Sequence, residues 1–290
     1  MSPTTSQNGN GRGYQVHNQG AQNMTIGEVP HKIPVFDSGD PKSMLAKRKW
    51  MLEHMAGAFR VFGAKDYTEG AAGHISIRDP INPDTFWINP LGVHYNMLKA
   101  SDMVQVDEHG NIVGGSRKAI NKAGFMIHSA LHKARPDVLA ACHTHSIYGK
   151  AYSTFGKHLD MINQDACVFY NCHSVYEDFG GVAVEDEEGR KIAQALGPTN
   201  KAVILQNHGL LTVGQTVDEA AYLFTLMERS CQAQLLADAA ESSGKPKMFI
   251  PEQDALFTYN ATSDAESLYQ EFQPDFEYEV YKAKGDFLDL

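Results

Sequence analysis

His143-Thr144-His145 closes an apolar run, VLAACHTH (138–145). Side chains of a strand alternate with period two, so both imidazoles project from one face and Thr144 from the other. A third imidazole, His208, closes a second apolar run, AVILQNHG (202–209), and is followed by Gly209. If the two strands are neighbours, three rings meet at one sheet edge, a set that suits Zn²⁺ or Fe²⁺ and leaves positions for water and substrate. His-x-His alone is equally the mark of a histidine pair packed in a core or at a surface. A rival pair, His128 and His132, stands at i and i+4 on a predicted helix, the spacing with which a helix grips zinc. Ser129 follows His128 where the hydrolytic zinc motif has an acidic residue, so this pair reads as a packed, half-exposed helix face.

Other residues have plainer readings. Asp137 follows Pro136 at a helix-to-strand turn and reads as a turn acceptor. Cys142 alternates away from the ligand face and packs as a small core residue. Gly73 and Gly209 mark tight backbone, and Asn207 is placed to orient a ligand. Nothing ranks His173, Tyr148, Tyr152 or Tyr170 as pocket residues.

The elements that must position these groups show in the hydrophobic spacing. From about Pro41 to Gly63, Met51, Met55, Ala58 and Phe62 recur at intervals of 4, 3 and 4, the stripe of a helix packed on a larger body. Short β-like runs follow at His74–Arg78, Thr85–Asn89, Met103–Asp107 and Asn111–Gly114, divided by turn residues, which predicts hairpins or a meander. Residues 121–134 return to helical spacing and feed the strand 138–145; a charged helix from about Glu185 to Leu196, halted by Gly197-Pro198, feeds the strand 202–209. The last strong helix opens on Thr216 and Glu219 in capping-box positions and ends near Gly244-Lys245-Pro246. Alternating helices and strands with no central linker predict one α/β domain over 39–244 with two appendages. Residues 1–38 read as a disordered arm. Residues 245–290 read as an acidic tail whose eight Phe/Tyr must pack on the body or on a neighbouring subunit.

Composition limits the partners. The chain has 290 residues, 42% of them apolar, enough for a large core. Its 25 Lys/Arg against 35 Asp/Glu, with no basic run, argue against nucleic acid or an anionic membrane and for small molecules. Four cysteines cannot make a disulfide scaffold, no charged and apolar leader opens the chain, and no apolar run approaches the ~20 residues of a membrane span. A soluble, cytoplasmic protein is expected.

Taken in order, Gly73-His-Ile-Ser-Ile-Arg78, Asn89-Pro-Leu-Gly92, the run from Arg135-Pro-Asp to His143-Thr-His145-Ser, and Gln206-Asn-His208-Gly-Leu-Leu-Thr-Val-Gly resemble the class II aldolase/adducin family over roughly residues 41–240. The resemblance implies a three-layer α/β/α sandwich with a largely antiparallel central sheet, in place of the parallel sheet that alternation alone suggests. It implies that His143, His145 and His208 bind one divalent metal, usually zinc. It also implies a homotetramer with active sites between subunits.

The departures from that family bear on the reaction. Sugar-phosphate aldolases of the family carry Ser-Ser-Glu, with phosphate-binding serines and a Glu base, where this chain has Lys122-Ala123-Gly124. The phosphate-binding Asn of Gly-Asn-[Ile/Val]-Ser is His74, and the Ser/Thr before the loop glycine Gly92 is Leu91. The tyrosine that a neighbouring subunit supplies falls at Gln164, beside Asp165. Residues 120–128 resemble the adducin branch, whose animal members are cytoskeletal and not enzymes.

Three functions are compatible with this. A metal-dependent aldolase or lyase would bind a small keto or hydroxy acid and stabilise its enolate, with His74, Gly92, Asn121 and Lys122 as substrate contacts and His74, Gln164 or Asp165 as candidate catalytic groups. A mononuclear iron oxygenase acting on an aryl-pyruvate needs no Glu base. A non-catalytic scaffold would keep the histidines as a structural site, against which stands the usual fourth ligand of structural zinc.

Overall fold

The structure is a computed structural model that describes residues 25–181 and 186–289. Helix α1 (Pro41–Ala64) starts where Asp40 accepts from the amides of Lys42 and Ser43, with Pro41 pre-set for the first turn. Strands β1 (His74–Arg78), β2 (Thr85–Ile88), β3 (Val104–Asp107) and β4 (Ile112–Gly115) form the expected antiparallel meander. Then come α2 (Lys122–Ala134), β5 (Ala140–Thr144), α3 (Ile147–Ser153), β6 (His173–Tyr176), α4 (Asp186–Leu196), β7 (Ala202–Leu205), β8 (Gly209–Gly214) and α5 (Val217–Glu241). Two more helices, α6 (Glu252–Thr262) and α7 (Ala265–Ala283), follow.

The eight strands form one sheet in the order β4-β3-β2-β1-β5-β8-β7-β6, in which only the β6–β7 pair is parallel. Helices α1, α3, α5 and α7 cover one face and α2 and α4 the other, so the sandwich has three layers. Alternation along the strands sorts the side chains: Ile75, Ile77 and Cys142 join the core under α1 and α5, and Ala141 joins the smaller core under α2 and α4. Among the described residues, no helix is long and apolar enough to cross a membrane.

Two expectations need correction. The apolar run 202–209 is not one strand: β7 stops at Leu205, the chain turns through Gln206–His208 with Asn207 at φ +58°, and β8 returns antiparallel from Gly209. The strand beside β5 is therefore β8, with β7 one place further out. The helix face carrying His128 and His132 is not half-exposed; both rings are buried against β1.

Of the predicted N-terminal arm, residues 1–24 lie outside the described residues. Residues 31–36 lie extended along the body, where the Ile33 amide donates to Glu266 at 3.2 Å and the Phe36 ring sits 5.8 Å from that of Trp50. The aromatic tail packs on its own chain: α7 lies across α1 and α5, and Leu268, Phe272 and Phe287 are buried in the main core. Gly57, in mid-helix where glycine costs about 1 kcal/mol relative to Ala, gives room to the Phe276 ring, which any Cβ there would overlap. Phe272→Ala should destabilise the protein by about 3–5 kcal/mol, because its ring is fully buried and the surrounding helices cannot close the void. Urea denaturation reads this directly, and a loss below about 1 kcal/mol would mean that the tail docks without joining the core.

Candidate metal centre

His143 is a cross-strand partner of His74 on β1, so the two rings share the α2 face of the sheet and stack with centroids 5.0 Å apart. The Nδ1–H of His143 donates to the Leu210 carbonyl at 2.8 Å, which leaves Nε2 as its free lone pair. His145 lies one residue past the end of β5, where α5 pins the chain. The Glu228 carboxylate accepts from the Ser146 hydroxyl at 2.5 Å and from the amides of Tyr148 and Gly149 at 2.8 and 2.7 Å. Burial raises the Glu228 pKa, and those three donors act against it. His208 comes from the turn between β7 and β8, which the β5–β8 pairing carries to the end of β5.

One nitrogen from each of His143, His145 and His208 lies within 4.8 Å of the others, and the Nε2 atoms of His145 and His208 are 3.0 Å apart. Two ligands on one ion at ~2.0–2.1 Å stand roughly 3.0–3.4 Å apart, the spacing already held by the Nε2 atoms of His145 and His208, so the three donors are placed to close on a divalent metal. Burial lowers the pKa of all three, His143 well below the usual imidazole value and His208 to about 4. All three are neutral near pH 7, the state in which an imidazole can ligate.

These rings open into a cavity of about 360 Å³ lined also by His74, Asn121, Asn207, Lys150 and Phe179. Its one lining cation, Lys150, pairs with Glu69 at 2.7 Å, and no lining residue among those described carries a carboxylate. Asn121 caps α2 by accepting from the Gly124 amide at 3.0 Å. Gly92 and Lys122 do not line the cavity. Gln164 and Asp165 line a separate one with Tyr222 and Glu271.

The ring of His74 lies over Gly124, where a Cβ would come within 2.5 Å of its Cδ2. The two departures from the aldolase pattern at 74 and 124 are therefore one packing event: the imidazole occupies space that a side chain at 124 would need. Among the described residues, His128 and His132 belong to no cluster of three or more metal-ligating side chains. Their rings meet His74 and Ser76, because the i, i+2 repeat of a strand, about 6.6 Å, nearly matches the i, i+4 repeat of a helix, about 6.0 Å. Two polar residues at i, i+2 opposite two at i, i+4 were the signal for this contact. Lys150 and Phe179 had none.

The remaining residues take structural parts. Asp137 accepts both arms of the Arg135 guanidinium at 2.8 and 2.7 Å, and Cys142 is buried with its thiol pKa pushed up. The Tyr152 hydroxyl donates to the His158 carbonyl at 2.7 Å, and His173 bridges the Phe169 carbonyl and the Leu159 amide at 2.7 and 3.1 Å.

A family profile described as "Class II Aldolase and Adducin N-terminal domain" matches residues 53–235. The chain is 40% identical over 238 residues to "Decarboxylase NovR" of Streptomyces niveus, covering 81% of this chain and 84% of the relative. It is 40% identical over 208 residues to "4-hydroxy-3-prenylphenylpyruvate oxygenase/4-hydroxy-3-prenylbenzoate synthase" of Streptomyces roseochromogenus subsp. oscitans, covering 71% and 73%. A solved structure described as L-fuculose 1-phosphate aldolase from Glaciozyma antarctica PI12 superposes with a TM-score of 0.78 at 39% identity, covering 88% of this chain and 96% of that one. The profile spans the strands and turns that bring the three histidines together, and with relatives matched over most of their length this chain belongs to the class II aldolase/adducin family.

Proposed function

We propose that this chain is a divalent-metal-dependent carbon–carbon lyase that acts on a small keto or hydroxy acid and not on a sugar phosphate. The observation that carries this is the cavity lining: three neutral imidazoles with convergent nitrogens, a neutral His74, one lysine and, among the described residues, no carboxylate. Three neutral ligands leave a bound ion its full charge, which favours a chelating anion. An ion held by His143, His145 and His208, Zn²⁺ or Fe²⁺, supplies Lewis acidity that steadies the negative charge developing as the bond beside a carbonyl breaks. The protein's own part is to bind and orient. Lys150 offers a charge-assisted hydrogen bond to the acid, Asn207 and Asn121 stand at the wall, and Phe179 adds an apolar side.

The name of the fuculose-phosphate relative pulls toward a sugar phosphate. The residues on which those reactions rely are absent here, with Lys122-Ala123-Gly124, His74 and Leu91 in their places. Because Gln164 and Asp165 line a separate cavity within one chain, any contact of theirs with substrate comes from a neighbouring subunit of a homotetramer. Ile147 and Phe155, apolar and exposed at the ends of α3, suit that interface.

A second reading, an iron oxygenase acting on an aryl-substituted pyruvate, is favoured by the relative whose name carries that activity and by the lack of a carboxylate base among the described lining residues. Protein purified without oxygen, loaded separately with Zn²⁺ and Fe²⁺ and sized by light scattering, should be offered 2-keto and 2-hydroxy acids, with and without an aryl group, beside fuculose 1-phosphate. Cleavage of an acid without O₂ uptake is the expected result. Turnover only with iron and O₂ would install the second reading. Efficient sugar-phosphate cleavage would overturn both, full metal loading with no turnover would indicate a scaffold, and a monomer would remove the shared site.

A further inference from the structure

A single polar thread crosses the apolar space between β1 and α2. His74 Nδ1 is 2.7 Å from His128 Nε2, and His128 Nδ1 is 2.5 Å from Ser76 Oγ. Ser76 Oγ is in turn 2.8 Å from His132 Nε2, and His132 Nδ1 is 3.4 Å from the Val138 carbonyl. All four side chains are buried. Burial pushes the pKa of His128 and His132 down to about 3, and His74, equally enclosed, faces no acidic side chain among the described residues.

A neutral imidazole has one N–H and one bare nitrogen, and a hydroxyl has one proton, so the thread can be solved from its end. The Val138 carbonyl only accepts, so His132 carries its proton on Nδ1 and leaves Nε2 bare. Ser76 must donate to that nitrogen, and its oxygen then accepts from His128 Nδ1–H. The bare Nε2 of His128 accepts from His74 Nδ1–H, which leaves His74 Nε2 as a bare nitrogen for the cavity that His74 lines. The reverse order would set the lone pair of His132 Nδ1 against that of the carbonyl.

We propose that this thread sets the polarity of the metal cavity: His74 presents an unprotonated Nε2 that accepts a hydrogen bond from a hydroxyl of the substrate, and Ser76 is the positioning residue that transmits the polarity from the Val138 carbonyl. The favoured ligand carries a hydroxyl donor next to its metal-chelating oxygens, as a hydroxy acid or an enol does. A phosphate dianion, rich in acceptors, meets a lone pair instead. This deepens the functional reading above and rests on the three-histidine site for its substrate, but the tautomer itself is a property of the metal-free chain.

The test has two arms. In the full chain with ¹⁵N-labelled histidine, metal-free and zinc-loaded, NMR should find His74 protonated on Nδ1 and bare on Nε2, with His74→Gln assigning the signals. In calorimetry on zinc-loaded protein, glycolate should bind more tightly than methoxyacetate, and Ser76→Ala should shrink that ratio by about tenfold, the size of one lost hydrogen bond, while metal content stays unchanged. The poorer chelation by the ether is common to both proteins and cancels. Ser76→Thr, which keeps the hydroxyl, should restore the ratio. Full zinc loading with His74 protonated on Nε2, or a ratio that Ser76→Ala leaves unchanged, would overturn this inference and spare the lyase reading. The predicted tautomer in a chain that takes up no metal would do the reverse.

Discussion

His145→Ala and His208→Ala are each expected to empty the metal centre, lowering metal affinity by more than 100-fold and activity with it. Outer partners of a ligand already cost 10–100-fold, so losing one of only three protein ligands must cost more. These two rings are the right ones to remove. His143 is fully buried and its Nδ1–H serves the Leu210 carbonyl, so its loss would mix a packing defect with the loss of a ligand. His145 and His208 are only partly buried at the cavity, so folding should survive. His132→Gln is the control, since His132 ends the thread between β1 and α2 and has no nitrogen near the three-histidine cluster. Elemental analysis of anaerobically purified protein, with thermal melts of each variant, reads the outcome. Equal metal loss in His145→Ala and His132→Gln would sink the assignment.

Gly124→Glu, which puts a carboxylate where the resembled sugar-phosphate aldolases carry one, should inactivate and destabilise the protein by about 1–3 kcal/mol, as overpacking does. The cause is steric, because the new Cβ would lie 2.5 Å from His74 Cδ2 and 2.8 Å from its Cγ. His74→Asn should relieve the clash, so that the double variant is more stable than Gly124→Glu alone. The coupling energy of the cycle should fall in the range of about 0.5–3 kcal/mol found for residues in contact. The double variant also restores two of the groups used to handle a sugar phosphate, and fuculose 1-phosphate turnover is the measurement to add. Strict additivity would show that positions 74 and 124 vary independently.

How far this could be read without coordinates depended on whether each feature was local. An apolar stripe is local, so α1 was legible from the spacing of Met51, Met55, Ala58 and Phe62, and it runs Pro41–Ala64. The meander β1–β4 was legible because turn residues punctuate it. By contrast, β7 and β8 are buried on both faces and show no alternating period, and only three polar residues part them, so nothing in the spacing marked where β7 ends. The turn at Gln206–His208 was therefore read as strand, and β6 was missed.

The sequence by itself determined which chemistry was on offer: His143-Thr-His145 and Asn207-His208-Gly209 in their motifs, and the absence of a glutamate at Gly124. Only the tertiary structure decided who meets whom. The β5–β8 pairing puts His208 beside His145, 63 residues away, and the seating of α2 on β1 turns His128 and His132 from a rival metal pair into partners of His74 and Ser76. It also takes Gln164 and Asp165 out of the cavity within one chain. Strand order and helix seating are set by the summed burial of distant apolar faces, and no spacing within one segment can report them.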